Sequence, residues 1–251
     1  MRPIGSEHFI ELLNYQRLWE DPITIQALTV SVTYVFGSLS VGFALGLVVA
    51  LCLNEEIHFR GGVRTLTLVP WFIPSVVAAY LWTWLFNPTY GALNSALVQL
   101  GLIQSGAQLA WLGDPNLALI AVIMVSVWRD FPFHTVMLLA GLQVIPAAQY
   151  EAAIVDGAGV LSRFRNITLP NLRYVIGVDM ILMAVWLFKR IDIFYIMTEG
   201  GPVYSTLVFP LYIYYIGFHQ YDLGLAGAYA VVMLLILMIS AVVYMKVWKI
   251  D

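Results

Sequence analysis

The sequence predicts an all-α membrane protein with about five transmembrane helices, and three observations predict it. Of 251 residues, 61% are hydrophobic and only 11% are charged, against about 45–50% and about 25% in an average soluble domain. Five stretches, roughly 25–53, 66–87, 117–140, 175–197 and 225–248, each supply the ~20 mostly apolar residues that cross a bilayer core of about 30 Å. Lysine and arginine are spread very unevenly over the segments between them. The net charge of -3 excludes little, because the placement of charge matters more here than its sum; no nucleic-acid partner is expected. The single cysteine, Cys52, sits in an apolar run, which leaves neither a disulfide framework within the chain nor a Cys-based metal site.

In order along the chain, residues 7–20 (EHFIELLNYQRLWE) set Phe9, Leu12, Leu13 and Leu18 at helical spacing among charges. That pattern predicts an amphipathic helix on the outer membrane surface, ended by Asp21-Pro22, within an outer segment 1–22. Glu7, Glu11, Glu20 and Asp21 leave this segment no apolar core, so it is not a cleavable signal peptide. The second span carries Pro70 and Pro74 and the third carries Pro132. Each proline frees backbone groups that need satisfaction inside protein or a cavity, which reads as a simple kink or as a broken helix beside a pathway. Residues 93–112, interrupted by Gly101 and Gly106, and 207–218, with Pro210, are too short or broken to cross and read as interfacial or re-entrant. With no internal repeat and no low-complexity linker, residues 1–251 read as one transmembrane domain.

Five spans place the termini on opposite sides. Arg60, Arg64, Arg163, Arg165, Arg173, Lys246 and Lys249 fall on one face, seven in all, against Arg2 and Arg17 on the other. The positive-inside rule then puts the C-terminus in the cytoplasm and the N-terminus outside, in a multi-pass protein of the cytoplasmic membrane. An outer N-terminal segment with no signal to send it there suggests a preceding span.

The longest polar stretch between spans, 146–170, is cytoplasmic on this topology. Pro146 precedes a short helix over 147–155; Gly157 permits a sharp turn that a Cβ would resist. A second short helix follows over 159–168, and Pro170 is expected to limit its continuation. The product is a helix-turn-helix knuckle with one carboxylate, Glu151, near its tip, a shape suited to gripping a soluble partner.

The pattern EAA-x3-G-x9-I-x-LP in this stretch resembles the signature loop of the permeases of ABC importers. Its fixed positions are met by Glu151, Ala152, Ala153, Gly157, Ile167, Leu169 and Pro170, with Asp156 beside the glycine. The similarity runs from about Phe9 to Trp248. It includes Pro70-Trp71-Phe72-Ile73-Pro74-Ser75, Leu85-Phe86-Asn87-Pro88, Trp111-Leu112-Gly113-Asp114-Pro115 and Thr198-Glu199-Gly200-Gly201-Pro202. The last of these resembles the outer loop of the maltose-permease-like, sugar-holding subunit type of the binding-protein-dependent sugar class.

The resemblance implies a permease core whose 146–170 loop forms a coupling helix seated on an ATP-binding subunit. It implies four kinds of partner: a second permease subunit as heterodimer mate, two ATP-binding cassette subunits, an extracytoplasmic substrate-binding protein and membrane lipid. It also implies that ATP is hydrolysed on the separate subunits, that this chain is not an enzyme and needs no cofactor, and that a sugar or related solute crosses by alternating access. Members of this type carry one further N-terminal span, here either truncated or naturally absent.

An ionisable side chain at mid-bilayer costs roughly 2.5–3.5 kcal/mol on insertion scales, so such residues face the protein interior. The third span carries Arg129 and Asp130, and the fourth Asp179, Lys189, Arg190 and Asp192. Positions 179 and 190 are about three turns apart and are expected to share a face. Mutual pairing, a polar lining for a path and snorkelling all account for these charges, and the first two are compatible. The resemblance places substrate contacts at Trp71, Ser75, Ser126, Asp130, Phe131, Phe133, Lys189 and Arg190. Aromatic rings would cover sugar C–H faces and charged groups would bind hydroxyls; the three basic groups suit a phosphorylated or acidic substrate equally.

A secondary transporter or channel would account for five spans with buried charges but not for the knuckle, and the inverted repeat such folds often show is not visible. An intramembrane enzyme is disfavoured: His8, His58, His134 and His219 form no H-E-x-x-H spacing, and no G-x-S-x-G, paired-carboxylate or Walker motif occurs.

Overall fold

In the computed structural model, which describes residues 11–55, 59–104, 106 and 108–248, every regular element among the described residues is helical. Helix α1 (Leu13–Glu20) turns at Asp21 into α2 (Pro22–Asn54). The Asp21 carboxylate accepts from the Ile23 N–H at 2.9 Å, and Pro22 fills the first turn, where a missing N–H is harmless. The start expected for the first helix at residues 7–10 lies outside the described residues.

The second span expected over 66–87 is not one straight crossing. It is two helices, α3 (Arg60–Phe72) and α4 (Ser75–Leu85), bent by 91°. Pro74 is the cause: it forces Ile73 into an extended conformation (φ -71, ψ 125), whereas Pro70 is accommodated within α3. Helix α5 (Ala92–Gln99) is a short element of the kind expected there. Its buried Asn94 donates to the carbonyls of Pro88 and Leu109 at 3.2 and 3.1 Å and accepts from Trp111 Nε1 at 2.8 Å.

Helix α6 (Pro115–Val144) repeats the device of α2: Asp114 caps the Asn116 N–H at 2.8 Å and Pro115 follows it. It runs unbroken through Pro132. Then come α7 (Ala147–Val155), a left-handed Gly157 at φ +77, and α8 (Val160–Arg163). A widened π turn, Phe164–Thr168, leads straight into α9 (Leu169–Phe188). Pro170 therefore does not limit the helix. The Leu169 N–H reaches back five residues to Phe164 O, and the wider turn makes room for the ring.

The fourth span also ends earlier than 197. Helix α9 stops at Phe188, residues 189–191 are not helical, and α10 (Asp192–Met197) starts anew. Helix α11 (Phe209–Tyr214), with its π turn Tyr215–His219, and α12 (Leu223–Trp248) complete the chain. Among the described residues, four helices are long and apolar enough to cross a membrane, or five spans if the bent α3–α4 pair counts as one.

Helix α2 packs along α6 and against α9. Ser38, Gly42, Gly46 and Ala50 recur every fourth residue on its buried face and let the backbones approach closely. At one end, Asp21 accepts from the hydroxyls of Tyr212 and Tyr229, Thr24 bonds Tyr229 at 2.6 Å, and Arg17 pairs with Asp222 at 3.0 Å. These polar contacts join α1, α2, α11 and α12.

Candidate functional site

Ser126, Asp130 and His134 follow one another at i, i+4 and i+8, so α6 carries them on one buried face. The non-helical break after α9 swings Arg190 onto this face. Arg190 Nη1 and Nη2 donate to Asp130 Oδ2 and Oδ1, the second at 3.3 Å, and Nη1 also reaches the Tyr34 hydroxyl of α2 at 3.3 Å. Tyr34 continues the network to Ser126 Oγ at 2.8 Å, and Arg129 Nη1 donates to Asp130 Oδ1 at 3.0 Å. A two-pronged guanidinium–carboxylate contact is among the strongest polar contacts available. It satisfies a 94%-buried Asp130 side chain that would otherwise be very costly.

This network floors an open cavity of about 540 Å³. Its walls carry three cations, Arg129, Lys189 and Arg190, two carboxylates, Asp130 and Asp192, and two indoles, Trp71 and Trp186. Phe133 ties the indoles together, its ring 5.8 Å from Trp71 and 5.0 Å from Trp186. Four of the expected substrate contacts, Trp71, Asp130, Lys189 and Arg190, thus meet in one place, with Phe133 packed beside them. Ser126 is fully buried behind the network, Phe131 is half-buried off the lining, and Ser75 only begins α4. A second concavity of about 460 Å³ between α2, α9 and α12 has almost wholly apolar walls and no ionised group.

Asp179 does not share a face with Arg190, because Arg190 has left the helix. Its partner is His134, Nδ1 to Oδ2 at 2.6 Å, with both side chains wholly buried between α6 and α9. An ionisable residue inside a span calls for a partner, and that signal was available for His134 and Asp179. Nothing in the sequence marked Tyr34 or Trp186.

On the 146–170 segment, Glu151, Ala152, Asp156 and Gly157 are exposed on α7 and its turn. Glu151 forms no ion pair among the described residues. The knuckle is braced at its base by Tyr150–Thr168 at 2.9 Å and Asn171–Gln149 at 3.0 Å. Ile167 lies half-buried near that base, and Leu169 and Pro170 are exposed at the root of α9. Val155, Val160 and Leu161 stand out from the tip at 76–87% exposure.

Residues 42–248 match the family described as binding-protein-dependent transport system inner membrane component. The chain is 36% identical over 249 residues, 98% of its length and 80% of the relative's, to the trehalose/maltose transport system permease protein MalF of Thermococcus litoralis. It is 36% identical to the sulfoquinovosyl glycerol transport system permease protein SmoG of Agrobacterium fabrum, over 95% of this chain and 76% of that one. The fold matches a bacterial alginate ABC transporter crystallised with an alginate pentasaccharide-bound periplasmic protein. There the TM-score is 0.83 at 24% identity, covering 94% of this chain and 81% of the other.

Proposed function

The chain belongs to the binding-protein-dependent transport system inner membrane components, and from that premise we infer how its two sites divide the work of an ATP-driven importer. It is a membrane-spanning permease subunit of the ABC importers. In our reading residues 1–251 act as a single permease domain in the cytoplasmic membrane, with the C-terminus cytoplasmic. The cargo is a sugar or sugar derivative, a reading supported by the names of the MalF and SmoG relatives.

The cavity between α3, α6 and the break after α9 is the solute path. Trp71 with Phe133 forms its aromatic plate and Asp130 with Arg190 its polar floor, and Lys189 borders it. Ser75, Ser126 and Phe131 act from the surrounding shell. The path opens alternately to the two sides of the membrane. ATP is hydrolysed on two separate cassette subunits, a second permease completes the path, and an extracytoplasmic binding protein delivers the solute. A secondary transporter or channel finds no support in the likenesses.

One observation carries the coupling reading. The segment from Glu151 to Pro170 projects as a braced knuckle with bare apolar side chains at its tip and a carboxylate that forms no ion pair among the described residues. Exposed apolar surface rimmed by polar groups marks a docking site. Ala152, Ala153 and Asp156 stand with Glu151 on the docking helix, Gly157 shapes its turn, and Ile167, Leu169 and Pro170 root it in α9. If Glu151 pairs in a buried contact with a basic residue of the cassette subunit, Glu151→Ala costs about 3–5 kcal/mol of assembly; at a rim it costs about 0–1 kcal/mol. The experiment is co-purification with the cassette subunits and solute-stimulated ATP hydrolysis for Glu151→Ala and Gly157→Val. Both should fall while the permease stays in the membrane; unchanged values in the two variants together overturn the coupling role.

A further inference from the structure

We propose that the solute is a sugar carrying one negative charge, and that Lys189 and Arg129 are the groups that read it. The inference rests on the path assignment above and deepens it.

The charges around the cavity do not balance. Three cations, Arg129, Lys189 and Arg190, face two carboxylates, Asp130 and Asp192, leaving one formal positive charge over. The Arg190 fork is spent on Asp130, both nitrogens on both oxygens, so this pair is a floor and offers little to a ligand. Arg129 shares only one Asp130 oxygen, at 3.0 Å, and its buried Nε has no hydrogen-bond partner among the described residues. Lys189 is exposed beside the cavity, and its ammonium makes no ion pair or hydrogen bond among the described residues.

A neutral sugar could fill these donors with hydroxyls but would leave the surplus charge uncompensated where field lines are poorly screened. A carboxylate or sulfonate supplies one charge and planar or tripodal oxygens for a guanidinium and an ammonium. A phosphate monoester brings close to two charges at neutral pH and would overshoot the balance. Trp71 and Trp186, linked through Phe133, lie beside these cations and can cover the ring of the same molecule.

The test uses the full transporter with its partner subunits in intact cells. Cells are offered glucose, glucuronate, 6-deoxy-6-sulfoglucose and glucose 6-phosphate, and ATP-dependent accumulation is measured for each. Glucuronate or the sulfonate should accumulate in preference to glucose and the phosphate. Lys189→Gln should cut that accumulation at least tenfold, Lys189→Arg should retain most of it, and Arg129→Gln should act as Lys189→Gln does. Membrane level and co-purification establish that each variant assembles. Accumulation of glucose or the phosphate in preference, accumulation of neither monoanion, or an undiminished Lys189→Gln overturns the proposal. Trp71→Ala separates the two readings. If it abolishes uptake while Lys189→Gln does not, the path stands and the anion reading falls; if Trp71→Ala is silent, the path assignment itself fails.

Discussion

Replacing His134 by leucine strands the Asp179 carboxylate in its buried position between α6 and α9. Both side chains are 0% exposed and meet at 2.6 Å, and His134 Nε2 and Asp179 Oδ1 have no hydrogen-bond partner among the described residues. Leucine is close to imidazole in volume, so the cavity contribution is small and the loss is chiefly electrostatic. Removing one member of a buried pair costs about 3–5 kcal/mol, and Asp179→Leu should cost a similar amount by leaving the imidazole unmatched. Exchanging both for leucine deletes both desolvation penalties, so the double variant should lie between wild-type stability and about 1–4 kcal/mol above it. The two effects are then strongly non-additive, with a coupling of at least about 6 kcal/mol in the double-mutant cycle when each single costs about 3 kcal/mol. Equilibrium unfolding of the purified permease in mixed micelles by SDS, followed by tryptophan fluorescence, measures all four proteins. Single variants within about 0.5 kcal/mol of wild type, or a double variant equal to the sum of the singles, would refute the argument.

Two further outcomes follow from the geometry and a third from the uneven placement of basic residues along the sequence. A Cβ at Gly46 would lie 2.5 Å from His134 Cβ and 3.1 Å from Phe131 O and Thr135 N, so Gly46→Ile should cost about 1–3 kcal/mol or more in the same unfolding assay, while Gly61→Ala, in open space, should be nearly silent. Gly157 sits at φ +77 with nothing within 4 Å, so a side chain there pays only the left-handed backbone penalty of roughly 1–2 kcal/mol; Gly157→Asn should therefore retain more cassette binding than Gly157→Val, and equal loss would point to a steric clash instead. In a Cys52→Ser background, Ser162→Cys should react with an impermeant thiol reagent only after cells are opened, and reaction in intact cells would reverse the orientation.

Much of this protein is written locally. Apolar runs of spanning length located α2, α6, α9 and α12, because hydropathy over ~20 residues needs no partner to be read. The same holds for the knuckle, where a helix-forming run, Gly157 and the residues from Ile167 to Pro170 specify a turn and a second rise by short-range chemistry. The 91° break between α3 and α4 was half legible: two prolines announced a disturbance, but only packing decided that Pro70 is absorbed and Pro74 bends the chain. The end of α9 was not legible at all. Nothing in the run from Trp186 to Ile191 forbids another helical turn; the chain leaves the helix there and Arg190 meets Asp130, 60 residues away. Asp179 was visible as a charge needing company, but nothing in the sequence pointed to His134, 45 residues away, as its partner. Sequence alone thus determined that these ionisable groups should face the protein interior, since an apolar medium makes solitude costly. Which group pairs with which was decided only when α2, α6 and α9 closed on one another, because an ion pair is a matter of a few ångströms in space and not of distance along the chain.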